Sequence, residues 1–136
     1  MNALRIVSLP ERFYLEPRGW TFTPFNENPL AAGPPLDWAS FHTVSLEPGA
    51  VRGNHVHPRV TEWLLFCGGP LLLVWQDEGS ETLQQKRIAD HHTFLVIPPR
   101  VKHAVKNTGD TLLYLVAFRS RADGAEEPET MATPLI

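Results

Sequence analysis

The sequence holds a single cysteine, Cys67, in 136 residues. No intrachain disulfide can form, and a reducing, cytoplasmic setting is expected. Cys67 sits in an apolar run at residues 63–67, where a small buried hydrophobe explains it better than a nucleophile does. Basic charge is also scarce: 12 Lys and Arg stand against 15 Asp and Glu, a net charge of -3. With no cationic excess to neutralise phosphates, no nucleic-acid partner is expected. Long apolar runs are lacking too. The longest, residues 71–75, is far too short to cross a bilayer, so no membrane partner is expected. The first ten residues lack the basic-then-apolar order of a secretion signal. Neither internal repeats nor low-complexity tracts occur.

Proline, by contrast, is plentiful. Thirteen prolines are scattered along the chain, and few windows of helical length escape them. Between these breakers lie short runs rich in Val, Leu, Phe, Trp and Thr, the pattern of an all-β sandwich or barrel in one domain. The expected strands are 4–8, 13–16, 20–25, 38–46, 53–57, 61–66, 71–76, 81–87, 93–97, 103–106 and 112–118. The segment 26–35 reads as a loop and Gly68-Gly69-Pro70 as a hairpin turn. Residues 1–39 are expected to pack on a barrel or on a partner subunit, and 40–118 to form the barrel itself. Residues 119–136 read as an acidic, proline-containing tail. The strands at 71–75 and 112–116 are apolar on both faces. A small barrel covers only one, so the N-terminal segment or a second subunit should cover the other; a homodimer is the default expectation.

One group of residues carries chemistry. His55 and His57 are two apart, so on a strand both rings point to one face, with Cα atoms roughly 7 Å apart. After Pro58, a turn lets Glu62 return its carboxylate from a neighbouring strand. His103 opens a later strand, just after Pro98-Pro99. Three imidazoles and one carboxylate suit one divalent ion such as Zn, Fe(II), Mn, Ni, Co or Cu, and leave positions open for water or substrate. A His-x-His pair alone is equally the mark of exposed histidines on an alternating strand. The framing adds the weight: Gly49, five residues, His55-x-His57, four residues, Glu62, six residues, Gly69; then Pro98, four residues, His103, three residues, Asn107.

The first string resembles the first motif of the cupin superfamily at every defined position. The second is similar to the second cupin motif in Pro98, His103 and Asn107, and departs from it at two glycines, where His92 and Arg100 stand. A glycine at position 100 would permit the positive φ that arginine resists. The resemblance covers about residues 40–118. It implies a cupin-type double-stranded β-helix, or jelly-roll barrel, with His55, His57, Glu62 and His103 as metal ligands. A narrower resemblance links Arg52-Gly53-Asn54-His55-Val56-His57, Glu16-Pro17-Arg18-Gly19 and residues 97–103 to cupins that act on sugar nucleotides. Those are the cupins of capsular-polysaccharide assembly and the dTDP-sugar ketoisomerases.

Other residues follow from parity. Arg52 and Arg100 are candidates for binding an anionic substrate at the barrel mouth, against the alternative of solvated turn arginines. Phe66 shares the parity of Glu62 and is a candidate for the substrate wall. His42 is a candidate base and Tyr114 a candidate acid if they face inward. Asp90-His91-His92 offers a second metal-like cluster, but its position between two strands reads as a polar turn. The functional expectation is a metal-dependent enzyme, of isomerase, epimerase or dioxygenase type, on a small oxygenated substrate such as a sugar derivative. The alternative is a non-catalytic, metal-assisted binding module for a small sugar or acid.

Overall fold

The computed structural model describes residues 1–25, 40–120 and 131–136. The proline-bounded runs form twelve strands in chain order: β1 (Arg5–Ser8), β2 (Phe13–Glu16), β3 (Gly19–Phe22), β4 (Ser40–Leu46), β5 (Val51–Val56), β6 (Glu62–Cys67), β7 (Leu71–Gln76), β8 (Gln84–Ile88), β9 (Thr93–Ile97), β10 (Lys102–Asn107), β11 (Leu113–Arg119) and β12 (Met131–Ala132). Among the described residues a single 3-10 turn, Pro10–Arg12, follows β1. No described helix is long and apolar enough to cross a membrane.

Two five-stranded antiparallel sheets carry the fold, in the orders β1-β9-β6-β11-β4 and β12-β5-β10-β7-β8, and β2 and β3 form a separate hairpin. From β4 to β11 the chain passes repeatedly from one sheet to the other. That crossing makes this all-β domain the jelly roll implied by the motif resemblance. It also corrects the reading of Gly68-Gly69-Pro70. The segment joins β6 to β7, which lie in different sheets, so it is a corner and not a hairpin turn. A Gly-Gly-Pro run reverses or redirects a chain equally well, and only the partners of the flanking strands decide which. The next connection, residues 77–83, closes a hairpin, since β7 pairs with β8. The sheets also extend past residues 40–118: β1 pairs with β9, and β12 with β5. The expected 26–35 loop and residues 38–39 lie outside the described residues, as does most of the 119–136 tail.

Strand alternation separates two apolar layers. Inward residues of both sheets, including Leu46, Leu64, Phe66, Leu73, Leu95, Val105 and Leu115, fill the barrel. On the outer face of the first sheet, Trp63, Phe94 and Val96 form a second cluster, covered by Val7, Leu9, Phe22 and Phe25 of the N-terminal segment. Full burial of a large apolar side chain is worth about 1.5–3 kcal/mol, so even the partial burial of this cover makes it part of the folded unit. Asn107 is fully buried with its carboxamide satisfied. Its Nδ2 donates to Leu46 O and Thr111 O, and its Oδ1 accepts from the Gly109 N–H. The motif asparagine therefore ties the β10–β11 corner to the end of β4.

Candidate metal centre

The fold brings His55, His57, Glu62 and His103 together. Their ligand atoms all lie within 4.8 Å of one another. His55 on β5 and His103 on β10 are paired neighbours in the second sheet. Glu62 opens β6 in the first sheet, and His57 follows the end of β5. The four donors thus meet where the two sheets face each other. Gly53 and Asn54, at φ +94° and +54°, form an irregularity that aims this part of β5 inward. A Cβ on Gly53 would stand 2.8 Å from the His103 carbonyl oxygen, so only glycine permits the two strands to approach there.

The protonation pattern favours cation binding. His103 Nδ1 lies 3.1 Å from the Val101 carbonyl. A carbonyl only accepts, so Nδ1 carries the proton and Nε2 turns its lone pair to the cluster. Burial lowers His55 to a pKa of about 4, with the neighbouring His103 adding to the effect. Burial likewise lowers His57 to about 4, against the pull of Glu62. Both rings are neutral at pH 7, which leaves them free to ligate. Burial by itself would raise Glu62. His103, His57 and Arg119 outweigh it and hold the carboxyl at about 2.

The distances provide a test of fit. His55 Nε2 and His103 Nε2 are 3.0 Å apart, and Glu62 oxygens stand 3.6 and 3.5 Å from His57 Nε2 and His103 Nε2. Two nitrogens bound to one ion at ~2.1 Å and a right angle are separated by about 3.0 Å. The donor set, its protonation and its spacing all fit one divalent ion.

Beside the donors opens a cavity of about 320 Å3, lined by His42, Val44, Arg52, Gly53, Leu64, Val105, Leu115, Ala117 and Arg119 as well as His55, Glu62 and His103. His42 faces inward as one of the two parities allowed, and Arg52 reaches the mouth, where its guanidinium donates to Ser45 O. Two substrate-site expectations, Phe66 and Arg100, are corrected, and the open parity of Tyr114 is resolved. Tyr114 is 50% exposed, because Leu113, Leu115 and Ala117 take the inward positions of β11. Phe66 is core, one strand repeat deeper than the lining residue Leu64. Arg100 is drawn away from the mouth by an ion pair to Glu78 at 2.6 Å. It does adopt the positive φ, +65°, that its motif position requires. Such a conformation costs on the order of 1–3 kcal/mol, and the Arg100 backbone N–H, which donates to His57 O, helps to hold it.

Arg119 was missed. Its Nε donates to Glu62 Oε2 at 2.9 Å, and the two are direct cross-strand partners. The available signal was parity: residue 119 continues the inward series 113, 115 and 117. Asp90-His91-His92 behaves as the polar turn expected. His91 stacks on Trp20, and His92 Nδ1 lies 2.9 Å from Ser8 Oγ.

The cupin family profile matches residues 8–134, and the chain belongs to that family. No curated protein matches it. Among solved structures it is similar to a mutant of the 3,4-ketoisomerase QdtA from Thermoanaerobacterium thermosaccharolyticum in complex with TDP-4-keto-6-deoxyglucose. That likeness has a TM-score of 0.70 at 12% identity over 96% of this chain and 87% of that one. The TDP-quinovose 3,4-ketoisomerase WlaRB from Campylobacter jejuni matches with a TM-score of 0.69 at 16% identity over 98% and 95% of the two chains. The capsular polysaccharide assembling protein CapF from Staphylococcus aureus matches with a TM-score of 0.63 at 19% identity, over 73% of this chain and 29% of that one. At such identities the likeness is one of fold.

Proposed function

We propose that this chain is a metal-dependent enzyme of isomerase, epimerase or dioxygenase type. It would hold one divalent ion, Zn, Fe, Mn or Ni, through His55, His57, Glu62 and His103 and take a small oxygenated substrate, such as a sugar derivative, into the adjoining cavity. The observation that carries this reading is the convergence of four buried or half-buried donors beside an open cavity. Bound there, such an ion supplies Lewis acidity to adjacent substrate oxygens. Around it, the aliphatic wall limits water, Arg119 fixes the Glu62 carboxylate, and His42 is the lining group able to accept or return a proton. The sugar-nucleotide enzymes among the structural likenesses support an oxygen-rich substrate. The reading includes a homodimer, supported by the exposed Phe41 and Tyr114 on the outer face of the first sheet.

A second reading has its own support. His42 is the one described lining group outside the donor cluster and the two arginines with acid–base capacity, a sparse equipment that suits a binding module. Elemental analysis of tag-free protein tests what the two readings share. One equivalent of metal per chain, with a fall in Tm on chelation, is expected. Negligible metal together with an unchanged Tm would sink both.

A further inference from the structure

The described cavity wall offers few polar partners to a ligand's oxygens. No described lining residue carries a hydroxyl or a carboxamide side chain, and the single carboxylate, Glu62, is already engaged by Arg119. A neutral sugar ring presents hydroxyls around its whole circumference. Against Val44, Leu64, Val105 and Leu115 those hydroxyls would be desolvated without partners, which is unfavourable. The electrostatics point the same way. Arg52 and Arg119 place two positive charges on the described lining against the one negative charge of Glu62, so the wall is cationic before any metal is bound. A volume of about 320 Å3 sits at the small end of ligand pockets.

We propose that the ligand of this cavity is a small aliphatic carboxylate, its anionic head toward Arg52 and Arg119 and its alkyl part against Val44, Leu64 and Leu115. The proposal deepens the metal-site reading and rests on it for the ligand's position beside the donors. It commits to the acid where that reading allowed a sugar. Arg52 is the discriminating residue. Its guanidinium donates to Ser45 O and to none of the four donors, so replacing it leaves the donor cluster intact.

Equilibrium dialysis of 2-oxobutyrate, its neutral amide, inorganic phosphate and D-glucose tests this on metal-loaded and chelator-treated protein in parallel, with metal content measured in each. The acid is expected to bind about tenfold tighter than the amide, the size of a charge-assisted hydrogen bond. Added salt and Arg52→Gln should both weaken it, and Arg52→Lys should restore part of the loss. Equal affinity for acid and amide, tighter binding of phosphate or glucose, no binding of the acid at millimolar concentration, or no effect of Arg52→Gln overturns the proposal. Protein that takes up no metal yet binds the acid through Arg52 sinks the metal reading and keeps the carboxylate. One equivalent of metal with no preference for the acid does the reverse.

Discussion

Two histidine groups in this molecule are similar in composition and opposite in outcome. His55 near the end of β5 and His57 just past it are two residues apart, and both rings point inward, with centroids 4.6 Å apart and His103 beside them. His91 and His92 are adjacent, and their rings part company. His91 stacks on Trp20 at 4.7 Å, while His92 meets Ser8 and the edge of Phe13. Local density of histidine therefore does not make a metal site. Alternation must aim the rings at one point, and a second sheet must bring a carboxylate to it.

The largest contrast lies in metal content. His57→Ala removes a donor from the buried set and is expected to lose stoichiometric metal. His92→Ala is expected to keep it. Elemental analysis of both variants after dialysis reads the difference. Metal lost from His92→Ala, or retained in His57→Ala, breaks the distinction between the two groups.

The legibility of the two groups in the sequence differed for the same physical reason. Spacing within a strand is local information, so His55, His57 and the identity of nearly every described strand could be read from proline breaks and alternation. The choice of partner strand is not local. Gly68-Gly69-Pro70 looked like a hairpin because a turn sequence does not record which sheet follows it. Arg119 reads as tail because its partner, Glu62, is 57 residues away, joined only through the β6–β11 register. Nothing local to Arg100 signals that Glu78 claims it. The sequence leaves both faces open to Tyr114, and the register of β11 turns it outward.

Acid sharpens the comparison next. Unfolded, His55 and His57 titrate near 6.5, and in the native chain near 4. Between those values the unfolded state binds more protons, so stability falls as pH falls through that window. Glu62 continues the trend lower down, from its ordinary 4.5 to about 2 in the native state, again with the unfolded chain taking up protons first. The three groups act in one direction. In metal-free protein the urea midpoint is expected to decline steadily from about pH 7 to about pH 4. His55→Asn combined with His57→Asn should flatten the upper part of that decline. Loaded protein should decline more steeply, because protons and metal compete for the same nitrogens. A wild-type midpoint that is constant across the window would mean that these rings are not held neutral by burial.

The smallest expected effect belongs to the second group. Two strands alone make a marginal hairpin in water, yet β2 and β3 stand apart from both sheets. What fastens them is aromatic: Trp20 lies parallel to His91, within 10°, and stacks on Phe13, while Phe22 enters the cluster under Trp63 and Phe94. Trp20 is itself 36% exposed, so its removal forfeits the ring contacts more than a buried volume. Trp20→Ala is expected to cost about 1 kcal/mol, the scale of an aromatic pair, and to expose residues 13–22 to limited proteolysis without changing metal content. That separation is the point of the test. If Trp20→Ala also released metal, His91 and His92 would be supporting the metal centre through β9 and its neighbour β6, and the two histidine groups would be one system.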